Sequence, residues 1–292
     1  MHVWAISNQK GGVGKTTTTA SLAGLLTARG LRTLVVDLDP HGSLTSYFGI
    51  SPESAGAGVY ELFQDVAAGK PPDPTARLQS TSVEKLDLLP AVMTLATVER
   101  QAGTVEGFGL VIRQAVLRLA DHYDYVLIDS PPMLGVLMVN ALAACNRLII
   151  PVMADFLSLR GLERMQRTLE MIGRSRKQPL PFTIVPTLYD RRPKVSADSL
   201  QALKDRYGEN VWGGVIPLDT KVREASQAHL PVSLYRPACR AATAYGELLE
   251  SLLRLDDSDS EETGLKKHRE RQEKNGMGSK RYREQTAGAL SI

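Results

Sequence analysis

Cysteine is nearly absent from this chain of 292 residues: Cys145 and Cys239 are the two, far apart and without C-x-x-C spacing. That argues against a disulfide scaffold or a paired-cysteine metal site and reads as reduced thiols in a cytosolic protein. No apolar run approaches the ~20 residues a membrane span needs. The amino terminus has no secretion-signal make-up, because Val3-Trp4-Ala5-Ile6 already reads as a strand. No internal repeat is visible. A large excess of either charge is also missing: 35 Lys and Arg against 32 Asp and Glu leave a formal net charge of +3. Such a mildly basic surface permits nucleic-acid contact without requiring it.

What the chain does have is an apolar fraction of 43%, enough for a full core. Short runs rich in Val, Ile and Leu alternate with longer amphipathic stretches. This pattern predicts an α/β fold, a mostly parallel twisted sheet with helices on both faces. The expected strands are Val3–Ile6, Thr33–Asp37, Leu86–Leu89, Tyr125–Asp129, Leu148–Val152, Phe182–Val185 and Val211–Ile216. The expected helices are Lys15–Arg29, Gly107–His122, Leu159–Arg174, Ser196–Tyr207 and Ala238–Leu255. After Leu255 acidic residues and serine give way to a Lys, Arg and Glu run with few apolar residues. Such a segment cannot bury enough surface to offset its ordering entropy. The expected organisation is one domain over 1–255 and a charged, disordered tail over 256–292.

The first predicted strand runs into Gln9-Lys10-Gly11-Gly12-Val13-Gly14-Lys15-Thr16-Thr17. Glycines followed by a Lys-Thr pair, between a strand and a helix, form a phosphate cradle. Backbone N–H groups turn toward one point without a Cβ clash, and the helix aims its positive end there. Lys15 can reach terminal phosphates and Thr16 can hold magnesium. This loop predicts nucleoside triphosphate binding and hydrolysis. The strict pattern has a glycine where Gln9 stands, and a second lysine, Lys10, follows it. A lysine there is poorly placed to curl onto its own phosphates and better placed to project outward.

Two further strands deliver carboxylates. Val35-Val36-Asp37-Leu38-Asp39 puts Asp37 and Asp39 at the carboxyl edge of the sheet, where ligands of such folds sit. One of the two can orient the water that attacks the γ-phosphate, or hold the metal's water shell. Tyr125-Val126-Leu127-Ile128-Asp129 delivers Asp129 to the metal.

In combination, Gln9–Thr17, Asp37–Ser43 and Tyr123–Pro132 resemble the deviant Walker A ATPases of the ParA/Soj/MinD family, and the resemblance covers about residues 1–255. It implies a P-loop NTPase fold, ATP and Mg2+ as cofactors, and an ATP-dependent homodimer. Gly11, Gly12, Val13, Gly14, Lys15, Thr16 and Thr17 would cradle the nucleotide, with Thr17 at the α-phosphate. Lys10 would be the signature lysine that reaches the partner's nucleotide, and Gly12 would lie where protomers approach. Asp39 would position the attacking water, Thr16 and Asp129 would hold magnesium, and Asp37 would lie nearer the metal. Ser130 to Gly135 would respond to the γ-phosphate. Pro186, Thr187 and Pro217 would flank the adenine.

In DNA-binding members, basic residues corresponding to Arg192 and Lys221 contact phosphates without reading bases; Arg191, Lys194 and Arg223 add charge nearby. A ParB-like or other activating partner would stimulate hydrolysis. The protein would be cytoplasmic, at the nucleoid or the cell pole. The chain departs from the family pattern with His41 for Gln, Ser43 for Asn, and Leu218 where Arg is common. Chromosome or plasmid partition is the commonest role. Residues 39–49 look more like members that place chemotaxis arrays or flagella. The end of the chain lacks the repeated apolar face of a MinD-type membrane helix, so membrane binding is not expected. A nitrogenase-type iron protein would need cluster cysteines near the switch loops, and a cobyrinate-type synthetase would need a substrate domain for which 292 residues leave no room.

Overall fold

The computed structural model describes residues 1–258 apart from 104, 177, 178 and 193; of 156–160, 174 and 175 it describes the backbone alone. The chain divides into two units, Met1–Leu248 and Leu249–Ile292. Of the second unit the described residues, 249–258, are helical, and the rest of the expected tail lies outside the described residues.

Seven strands form one sheet: β1 (His2–Ile6), β2 (Thr33–Asp37), β3 (Gln79–Ser80), β4 (Leu86–Leu89), β5 (Tyr125–Asp129), β6 (Arg147–Met153) and β7 (Phe182–Thr187). Their spatial order is β3-β4-β2-β5-β1-β6-β7. Every pair is parallel except β3 with β4. The helices of four or more residues in the first unit are α1 (Lys15–Ala28), α2 (Ser43–Tyr47), α3 (Val59–Ala67), α4 (Val98–Gln101), α5 (Val111–Arg118), α6 (Val136–Ala144), α7 (Phe156–Ser175), α8 (Lys194–Tyr207), α9 (Thr220–Gln227) and α10 (Val232–Tyr235). A further helix begins at 240.

The central strands β2 and β5 are buried along their whole length, which is why they read as unbroken apolar runs. Alternate side chains go to opposite faces. Val3, Ala5, Leu34, Val36, Val126 and Ile128 join one core with Leu137, Met138 and Ala141 of α6 and Val111, Ile112 and Ala115 of α5. Their chain neighbours Trp4, Ile6, Val35 and Leu127 are equally buried and belong to the other face. Helix α1 lies against β1, β2 and β5.

The expected strand Val211–Ile216 is not one. Val211 and Pro217 make isolated parallel bridges to Ile184 and Tyr189. Between them Gly213-Gly214 lets the chain bend, and the Trp212 ring lies over Gly214, within 2.5 Å of where a Cβ would be. The short strand β3 and the helices α2, α3, α4, α6, α9 and α10 were not expected from the sequence.

Helix α6, which follows Asp129 and its loop, is capped from a distance. The N–H groups of Val136 and Leu137 donate to the Glu99 carboxylate at 2.9 and 3.2 Å. A Cβ at Gly135 would meet those oxygens. Gly135→Ala is therefore expected to push Glu99 away and cost about 1–2 kcal/mol, the range for loss of a helix N-cap. Thermal unfolding of Gly135→Ala, Glu99→Ala and the double variant checks this. Because both substitutions remove the same bonds, the double variant should lose little more than either single one.

Candidate functional site

Strand register assembles the site. Ile6, the last residue of β1, pairs with Asp129, and Asp129 pairs with Asp37. The loop after β1 and the two strand-end carboxylates therefore meet at the carboxyl edge of three adjacent strands, where ligands of open α/β sheets bind.

The loop residues 7–14 lead into α1 with Gly12 and Gly14 at φ of 72° and 88°. Those backbone values favour glycine. No atom lies within 4 Å of where a Cβ would stand on Gly11, Gly12 or Gly14, so the space above the loop is open. The loop is braced from below. Asn8 Nδ2 donates to Pro151 O at 2.7 Å, its Oδ1 accepts from Lys10 N, and Gln9 Nε2 donates to Thr168 Oγ1. The Thr187 hydroxyl donates to Val13 O at 2.7 Å.

Lys15 is buried, and its Nζ reaches the Lys10 carbonyl at 3.4 Å. Desolvation lowers its pKa, against the pull of Asp129 and Asp39. The Thr16 hydroxyl donates to Asp129 Oδ2 at 2.6 Å, while Asp129 Oδ1 is buried with no hydrogen-bond partner among the described residues. Burial, then the charge of neighbouring Asp37, pushes Asp129 up to about 8. Asp37 is raised to about 6 by burial, although Thr45 N–H, Thr45 O–H and Asp39 N–H all donate to it.

Two buried carboxyls on adjacent strand ends, one with a bare oxygen beside a threonine hydroxyl, form a set whose nearby cation is Lys15. Hard oxygen donors of this kind suit Mg2+, which keeps several waters and is completed by substrate phosphates rather than by an all-protein cage.

Asp39 lies beside this set. Its Oδ1 accepts from His41 N at 3.0 Å and bonds His41 Nδ1 at 2.8 Å.

Other expected site residues stand elsewhere. Lys10 was expected to project outward; instead its Nζ bridges both oxygens of Asp155 of the same chain, at 2.8 and 3.1 Å. The bridge forms because Asp155 follows β6, the strand beside β1. Thr187, expected at the adenine, uses its hydroxyl to hold the loop, and Pro186 is buried within β7. Pro217 lies with Tyr189, Arg191, Arg192, Lys204 and Arg240 on an open cleft of about 830 Å³.

Of the expected basic cluster, Arg192 forks onto Asp190 and Lys221 pairs with Glu224. Arg191, Lys194 and Arg223 are exposed. The Asn8–Lys10 turn has a local signal in the sequence; Asp155, Thr45 and Glu99 have none, since each reaches its partner only through the fold.

No helix among the described residues is long and apolar enough to cross a membrane. A family model described as an AAA domain matches residues 1–182. The sporulation initiation inhibitor protein Soj of Bacillus subtilis is 33% identical over 85% of this chain and 96% of its own. The chromosome partitioning protein ParA of Caulobacter vibrioides is 36% identical over 87% of this chain and 94% of its own. A crystal structure of cobyrinic acid a,c-diamide synthase from Mycobacterium smegmatis, with ADP and magnesium, is 35% identical at a TM-score of 0.75 and covers 88% of this chain. The match spans 96% of that chain, so length does not separate the two, contrary to the expectation from size. The phosphate loop, the paired strand-end aspartates and these matches agree: the chain belongs to the AAA-domain family of ATPases that includes the Soj and ParA partition proteins.

Proposed function

We propose that the protein hydrolyses ATP with Mg2+, forms a dimer while ATP is bound, and in that state holds DNA without reading its sequence, so as to segregate or position a cargo. The observation that carries the reading is the convergence of Lys15, Thr16, Asp129 and Asp39 at one open loop. Lys15 neutralises the β/γ-phosphates over the N–H groups of 11–14, and Thr17 meets the α-phosphate. Thr16 and Asp129 hold the magnesium, with Asp37 behind them. When bound, Mg2+ supplies charge neutralisation across the phosphate oxygens. Asp39 accepts a hydrogen bond from the attacking water and orients it. Lys10 exchanges Asp155 for the partner protomer's nucleotide as the dimer forms. An activating partner protein accelerates the slow step.

Non-specific DNA binding would use Arg191, Arg192, Lys194, Lys221 and Arg223. The bridges of Arg192 and Lys221 do not oppose this. Both are at the surface, where solvent and salt screen an ion pair and phosphate can replace the carboxylate. The test is binding to random-sequence DNA with ATP, with ADP and without nucleotide, for wild type and Arg192→Ala/Lys221→Ala. Binding is expected with ATP alone, falling steeply with salt, and at least about tenfold weaker in the double variant. Absence of binding in every state would overturn the DNA mechanism.

A second reading, ATP-dependent amide formation, draws on the Mycobacterium smegmatis neighbour. It requires an acid substrate, so ATP turnover that rises with DNA or a protein partner and without any such acid speaks against it.

A further inference from the structure

We propose that His41 is a positioning residue for hydrolysis, holding the Asp39 carboxylate by one oxygen and leaving the other to the attacking water. The inference rests on Asp39 as the residue that orients that water.

Oδ1 of Asp39 takes two bonds from His41, from the backbone N–H at 3.0 Å and from Nδ1 at 2.8 Å. An ionised carboxylate only accepts, so Nδ1 carries the hydrogen. No donor among the described residues reaches Oδ2. The two oxygens are thus unequal, and Oδ2 keeps its lone pairs for a substrate water.

The ring itself is 84% exposed, whereas the Asp39 side chain is 14% exposed. The ring is therefore not packed into the fold, and its loss should be felt at the Asp39 carboxylate and not in stability. The turn that carries the ring is set independently. Gly42 N–H donates to Asp39 O at 2.8 Å, Gly42 has φ of 62°, and Pro52 occupies the space where a Cβ would stand on it.

The charges around Asp39 are Lys15 of α1 and Asp37 and Asp129 of the strand ends; Glu53 is the charged residue of the turn that packs on Gly42. Among three neighbouring carboxylates, a donor fixed on one oxygen of Asp39 holds that group's orientation against their repulsion. Glutamine has a neutral N–H donor of similar reach, which makes it the conservative replacement.

The test is steady-state hydrolysis by wild type, His41→Ala, His41→Gln and Asp39→Asn, with melting curves for each. His41→Ala should lower kcat roughly 5–20-fold through lost orientation and leave KM for ATP within about twofold. His41→Gln should restore at least about half of the wild-type kcat. Unchanged or faster turnover in His41→Ala overturns the proposal, as does a loss that appears in KM alone. Asp39→Asn turning over at the wild-type rate would instead remove the Asp39 reading on which the proposal stands.

Discussion

Lys15→Ala is expected to lower kcat/KM for ATP by ~10³ or more and to leave the fold intact. The ammonium is buried at the start of α1, and its one neutral acceptor among the described residues, the Lys10 carbonyl, is 3.4 Å away. Its desolvation is offset only in part by the fields of Asp129 and Asp39. Without it, the phosphates of ATP enter a site lined by three carboxylates, and the loop's other lysine, Lys10, is held by Asp155. Two unit charges about 4 Å apart near a protein surface interact by about 4 kcal/mol. Lost from the transition state, that interaction corresponds to about three decades in rate. Phosphate release at saturating ATP, beside nucleotide binding by fluorescence, checks it; hydrolysis within about threefold of wild type would remove the phosphate role of Lys15.

The second large effect is expected from Asp129→Asn, and it has two signs. Hydrolysis should fall below detection, because an amide oxygen is a poor magnesium ligand and the variant keeps only the Thr16 hydroxyl bond. The nucleotide-free protein should at the same time become more stable.

Folded Asp129 is raised to about 8, against an ordinary value of 3.8. The folded state therefore binds a proton that the unfolded state has already released, and stability falls as pH rises between those values. The neutral amide of the variant has no such penalty. The advantage of the variant should be near zero below about pH 4, grow through neutrality and level off above about pH 8.

Melting temperatures at about pH 5 and pH 8.5 without nucleotide or Mg2+ decide it. An equal difference at both pH values would mean that the gain does not come from Asp129 ionisation. The same linkage makes wild type release protons when magnesium and nucleotide bind below about pH 8. Calorimetry in buffers of different ionisation enthalpy measures that release directly.

The opposing signs explain a feature of the fold. Placing Asp37 and Asp129 in register on adjacent buried strands is costly for the empty protein. On the proposed reading it persists because bound magnesium offsets the repulsion, a recurring pattern at sites whose local rules are broken for function.

Much of this was readable without coordinates. Six expected strands lie within strands of the sheet, because buried parallel strands must be short and apolar, and the helix at Lys15 begins where its glycines end. The failures are physical too. Val211–Ile216 has the composition of a strand, but two glycines and a ring folded over the second leave it with isolated bridges. The short helices α2, α4 and α10 hold too few residues for a periodic signal and form because the surrounding fold pins them. Helix α6 is apolar nearly all round, so no amphipathic stripe marks it.

The sequence by itself determined the phosphate loop, its lysine and threonine, and the two strand-end aspartates, because these depend on neighbours along the chain: a strand, a tight turn, a helix start. Only the tertiary structure decided what those groups touch. Lys10 meets Asp155 and Val13 meets Thr187 because β6 and β7 lie beyond β1 in the sheet, and Asp129 meets Asp37 because β2 sits beside β5. Strand order is set by the packing of all the helices at once, so no local window of residues contains it.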